Sequence, residues 1–112
     1  REMKTFADLE FKVRRDETKQ AQMDLGRGLI ISVIAGQSAY SKPRENGLNI
    51  EDYTSFECAL LKRDVVEGYL NFATLDWIPD AGDDVLGYVS REEITSLMKR
   101  VQGVYNESDF RI

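Results

Sequence analysis

Apolar and polar residues alternate strictly through Leu9-Glu10-Phe11-Lys12-Val13-Arg14. That is the pattern of a strand with one buried face. Residues 16–19 read as a turn, and alternation resumes over 20–25 with Ala21, Met23 and Leu25 on one side. Gly26-Arg27-Gly28 is a strong turn signal, since glycine reaches positive φ without steric cost. The run 29–35 follows as the best core strand, nearly all apolar and rich in β-branched residues. The glycine turn therefore joins two antiparallel strands in a hairpin.

The rhythm fails after Gly36. Ser38, Ser41, Pro43, Asn46, Gly47 and Asn49 punctuate a long loop over 37–52. Such loops are uncommon in small domains and are often functional or mobile. Strand character returns where Phe56, Cys58 and Leu60 share one face, and again over 69–74 with Leu70 and Phe72 together. A turn near 64–68 makes these a second hairpin. The clearest signal comes near the end. Ser90-Arg91-Glu92-Glu93 matches a capping box, and Ile94, Leu97, Met98 and Val101 then form one apolar helical stripe. Lys99 and Arg100 are expected in the last turn, and Gly103 is the expected stop. Residues 85–89 are expected as a short turn feeding the helix, and 104–112 as a loose tail.

These elements predict an α+β fold in a single domain over 1–112. An antiparallel sheet of four to five strands, built from two hairpins, is packed by one C-terminal amphipathic helix. Composition agrees, because 112 residues with 42% hydrophobic content support one core and not two. Histidine is absent and Cys58 is the single cysteine. Intrachain disulfides, Cys/His zinc sites and every mechanism needing a histidine base are thereby excluded. Cys58 falls on an apolar strand face and reads as a small buried hydrophobe.

No apolar run approaches the roughly 20 residues a membrane span requires. Residues at the N-terminus form no apolar leader, and a lone unpaired cysteine suits a reducing compartment, so a cytoplasmic location is expected. Met3 is a candidate natural start, with Arg1 and Glu2 extraneous to it.

Charge alters the picture because it is unevenly spread. The formal net charge is −5, and residues 64–93 alone hold eight acidic residues against one basic residue, Arg91. Acids there suit turns and the first turn of a helix. They also make an acidic face for a basic partner, with Asp76, Trp77, Asp80, Asp83 and Asp84 as candidate partner-binding residues. Trp77 reads either as closing the end of the core or, like Tyr88, as an aromatic anchor. Direct nucleic-acid binding is not expected, since phosphate contacts need a basic surface. The acidic spacing does not fit an EF-hand loop. No metal site and no cofactor are expected. The loop over 37–52 contributes a second candidate, a basic and aromatic group of Tyr40, Lys42 and Arg44 suited to an acidic or phosphorylated ligand.

Four ordered blocks carry a resemblance. They are Lys4-Thr5-Phe6-Ala7-Asp8-Leu9-Glu10-Phe11-Lys12, Ile31-Ser32-Val33-Ile34 after a glycine turn, the Phe-Glu-Cys-Ala-Leu-Leu core within 53–61, and Asp83-Asp84-Val85-Leu86-Gly87-Tyr88-Val89-Ser90-Arg91-Glu92-Glu93-Ile94-Thr95. Together they resemble small, mostly uncharacterised bacteriophage-encoded proteins. The stretch 37–52 departs from that pattern in being longer and richer in Lys, Arg and Pro. The resemblance implies a small accessory product of an infected bacterial cytoplasm and supplies no functional residues. The resulting expectation is a non-enzymatic phage protein that binds a host protein in takeover or counter-defence. The alternative is a domain that binds or sequesters a nucleotide or phosphorylated metabolite, using that loop or the sheet face opposite the helix. A homodimer is a further expectation, because a half-covered sheet leaves a face or edge to hide.

Overall fold

A computed structural model describes residues 3–26, 28–63, 70–72 and 85–104, with 70–72 and 104 described by backbone alone. Among the described residues six strands form one antiparallel sheet: β1 (Lys12–Val13), β2 (Lys19–Gly26), β3 (Leu29–Ala35), β4 (Phe56–Arg63), β5 (Leu70–Phe72) and β6 (Val85–Val89). The helix α1 (Arg91–Val104) follows. The α+β class is therefore the one the pattern predicts.

Register explains why one face is core. Ala21 lies opposite Val33, and Val33 opposite Cys58; Met23 lies opposite Ile31, and Ile31 opposite Leu60. Facing residues of neighbouring strands project to the same side. Phe56 joins this row by alternation along β4. The stripe of α1 closes the layer, and Ile94, Met98 and Val101 are fully buried in the same cluster as Ile31, Val33, Phe56, Cys58 and Leu60. Burial stabilises each such side chain by roughly 1.5–3 kcal/mol, so the apolar stripe rather than helix propensity holds α1 in place.

The capping box forms as predicted. The Glu93 amide donates to Ser90 Oγ at 3.1 Å, and the Ser90 amide donates to Glu93 Oε1 at 3.0 Å. We expect Ser90→Ala to cost about 1 kcal/mol, read as a lowered urea midpoint with an unchanged slope. The far end of α1 differs from expectation. The helix takes in Gly103 and leaves Lys99 and Arg100 short of the last turn, which holds no basic residue. The N-terminal segment helps to place that end: Gln102 accepts the Lys4 amide and donates to the Lys4 carbonyl, both at 2.8 Å. A 3-10 turn at Phe6–Asp8 lies beside it, its Phe6 amide held by Thr95 Oγ1 at 3.1 Å.

That turn shortens the first expected strand. Leu9 is buried and Phe11 packs against the core, yet only Lys12 and Val13 pair with β2. Val13 sits opposite Lys19 and is 64% exposed, so the alternation outlasts the burial it predicts. The second difference is β6. Residues 85–89 form a strand, not a turn, because half of the outer edge of β4 is open to them. β5 pairs with Leu61 to Arg63 on that edge, and β6 with Phe56 to Ala59. Phe72 thus lies opposite Leu61, and Val85 lies opposite Ala59 on the same edge.

The loop over 37–52 is built, not loose. Ala39 and Ser41 are buried. The Ser41 hydroxyl accepts the Gly36 amide at 3.1 Å and lies 3.2 Å and 3.1 Å from the carbonyls of Gly36 and Pro43. Asn46 Oδ1 accepts the Gln37 amide at 2.8 Å, and the buried Tyr53 donates its hydroxyl hydrogen to the Glu45 carbonyl. A 3-10 turn at Ile50–Asp52 ends the loop.

Candidate functional site

The site starts from an irregularity in the β4–β6 pairing. Phe56 pairs with Val89 and Cys58 with Leu86, so Gly87 and Tyr88 both face the single residue Glu57. Two residues against one make a β-bulge, which bends a strand and re-aims its side chains. Tyr88 takes φ +56, in the left-handed region. For a residue with a Cβ that conformation costs roughly 1–2 kcal/mol.

The loop docks on this bulge. The Tyr88 amide donates to the Tyr40 carbonyl at 2.9 Å, and the Tyr40 amide donates to Glu57 Oε1 at 3.1 Å. Glu57 alternates with buried Phe56 and Cys58, so it projects from the sheet face opposite α1. Gly87 makes the approach feasible. A Cβ there would stand 3.0 Å from the Cβ of Tyr40, closer than such atoms normally sit. The neighbouring loop residue Lys42 pairs with Ser55 in an isolated bridge, which fixes its backbone.

Two tyrosines far apart in sequence, Tyr40 and Tyr88, consequently stand side by side. Their ring centroids are 6.1 Å apart with an interplanar angle of 50°. Tyr40 is 52% exposed and Tyr88 47%. Lys42 Nζ lies 5.8 Å from the Tyr88 centroid, and the Arg44 guanidinium carbon 5.3 Å from that of Tyr40. Among the described residues neither cation has an ion-pair partner. Exposed cation–π contacts contribute only about 0.5–1 kcal/mol each. They do little more than offset the backbone strain at Tyr88. An exposed aromatic ring on a strained backbone conformation is a mark of functional sites.

Tyr40, Lys42 and Arg44, singled out as a loop group, do come together. Tyr88 belongs by sequence with the acidic stretch, and the fold places it at this basic patch instead. Glu57 and Gly87 carry no local signal that marks them for the site. A bulge leaves no sequence signature of its own, although a glycine inside a strand-like run is a hint. The other candidates, Asp76, Trp77, Asp80, Asp83 and Asp84, lie outside the described residues.

The remaining chemistry is structural. Burial pushes the Cys58 thiol up to about 12, so at neutral pH it is an inert apolar group. Asp16 is held below the usual carboxylate range by the Thr18 hydroxyl and amide, which fixes the turn before β2. Arg91 lies over Phe6 and Phe56 at 5.4 Å and 5.2 Å and donates to the Ile50 carbonyl. It clamps the helix start to the loop end. Among the described residues, no three carboxylate or cysteine side chains are placed to share a metal ion, and no helix is long and apolar enough to cross a membrane. The sheet face opposite α1, expected as an alternative pocket, holds an open hollow of about 330 Å³ lined by charged and amide groups such as Lys12, Arg14, Gln20 and Gln22. Met23 is the apolar side chain in its lining.

In comparisons with protein-family models, curated proteins and solved structures, nothing matches this chain.

Proposed function

We propose that the chain is a non-enzymatic binding protein that grips a host protein through the patch of Tyr40, Lys42, Arg44 and Tyr88. The carrying observation is the exposed tyrosine pair, held at a cost in backbone strain and flanked by two cations without ion-pair partners among the described residues. Tyrosine and arginine are the residue types that dominate protein–protein hot spots, since each offers a large contact area with a polar end. The resemblance to bacteriophage-encoded products supports a bacterial cytoplasm as the setting and a host protein as the partner. The acidic stretch within 64–93 supports a second contact, of opposite charge, on the same partner.

Tyr40→Ala combined with Tyr88→Gly tests this reading. Glycine relieves the strain at position 88 while adding chain entropy to the unfolded state, so stability should stay within about 1 kcal/mol of the parent. Loss of two anchors should weaken capture of the partner by about 30-fold or more, equivalent to about 2 kcal/mol. The measurement is affinity capture from bacterial lysate followed by titration of the captured protein. Undiminished affinity in a folded double variant would remove the patch from the function.

A nucleotide or phosphorylated metabolite is the second reading, favoured by Lys42 and Arg44, which have no ion-pair partner among the described residues. A thermal-shift screen addresses it, because a ligand of the native state raises the melting temperature.

A further inference from the structure

We propose that the segment of partner protein received by this patch is acidic, with Asp or Glu side chains meeting Lys42 and Arg44 beside its apolar groups on the two tyrosines. This rests on reading the patch as the binding surface. Charge complementarity carries the inference. Lys42 and Arg44 have ring faces for neighbours and no ion pair among the described residues, so an incoming carboxylate displaces no salt bridge within that part of the chain. Glu57, the carboxylate at the patch floor among the described residues, is already engaged by the Tyr40 amide at 3.1 Å.

Ring geometry separates a protein segment from a nucleotide. A flat base is best held in a parallel slot or on an open platform. Here the rings are tilted by 50° to each other, and each carries a cation over its face. Such a surface suits side chains of irregular shape. Charge counts against a longer polyanion as well, since a chain of net charge −5 repels a run of phosphates, and two cations cannot neutralise one. One or two carboxylates suffice to match Lys42 and Arg44.

The test is an NMR titration of the full isotope-labelled chain with three probes. These are a short synthetic peptide of Asp and Glu interspersed with Phe, its counterpart with Lys replacing the acids, and ATP. The acidic peptide should shift the amides of Tyr40, Lys42, Arg44, Glu57, Gly87 and Tyr88. Its affinity should fall by about tenfold or more in Lys42→Glu/Arg44→Glu, and fall likewise with added salt. Both side chains are exposed, so the charge-reversed protein should keep its spectrum elsewhere, and it should now take the Lys peptide. Equal shifts from the Lys peptide in the parent protein, or shifts from the acidic peptide only outside the patch, would overturn the proposal. So would shifts at the patch from ATP but not from the acidic peptide, which would establish the nucleotide reading. If no probe touches the patch but the Tyr40→Ala/Tyr88→Gly variant still loses its protein partner, the acidic segment is wrong and the binding reading stands. If capture also survives that variant, both fall.

Discussion

Phe56→Ala should destabilise the protein by about 4 kcal/mol, the upper range for truncating a core aromatic. Phe56 is fully buried at the start of β4, where the N-terminal segment, the loop end and the helix start converge. Its ring centroid lies 5.0 Å from that of Phe6, 6.0 Å from Phe11 and 6.2 Å from Tyr53, and the Arg91 guanidinium stacks over it at 5.2 Å. Truncation leaves a cavity that four neighbours from separate segments cannot fill together. A small domain has a total stability of only about 5–15 kcal/mol, so the loss approaches unfolding. Urea denaturation measures it, and Phe56→Leu, which preserves most of the volume, should cost only about 1.5 kcal/mol. A loss below about 1 kcal/mol for the alanine variant would show that the ring is not packed as described.

Gly36→Ala should cost about 3 kcal/mol and, unlike Phe56→Ala, should disturb the binding patch before it threatens the fold. Gly36 ends the run of β3 into the loop with φ +148. An added Cβ would stand 2.5 Å from Asn46 Oδ1 and 2.8 Å from Thr18 Cγ2. Neither neighbour can give freely. Asn46 Oδ1 accepts the Gln37 amide, and Thr18 is buried with its hydroxyl bonded to Asp16. Displacing Asn46 releases the loop that carries Tyr40, Lys42 and Arg44. Gly47→Ala is the control. It also has positive φ, +80, but nothing lies within 4 Å of its Cβ position, so only the backbone cost of roughly 1–2 kcal/mol applies. Paired denaturation curves and amide shifts at Tyr40 and Tyr88 check both. Equal losses for the two variants, with Tyr40 and Tyr88 undisturbed by either, would refute the role given to Gly36.

Where local chemistry is strong, the sequence sufficed. The capping box at Ser90 and Glu93, the stripe of Ile94, Leu97, Met98 and Val101, and the glycine turn of the β2–β3 hairpin each rest on residues within a few positions of one another. The structure bears them out. Burial of Cys58 and its neighbours on β4 follows from period-two alternation alone. The site was half legible. Tyr40, Lys42 and Arg44 stand out as an aromatic and basic group in a loop, but nothing local says which part of the chain the loop meets.

Two matters were decided only in three dimensions. Residues 85–89 have no periodicity to distinguish turn from strand. They become β6 because β5 leaves half of one β4 edge open, and unsatisfied backbone groups on that edge find partners there. The patch depends on that same pairing. Glu57, Gly87 and Tyr88 meet Tyr40 only through a bulge whose extra residue is set by the β4–β6 register, across a separation that no local pattern spans. Periodicity along the chain therefore determined the α+β class, the hairpins and the core face, since alternation and helical spacing are properties of neighbours. Long-range pairing determined which exposed aromatic joins which cations, because register between distant strands is a property of the folded sheet.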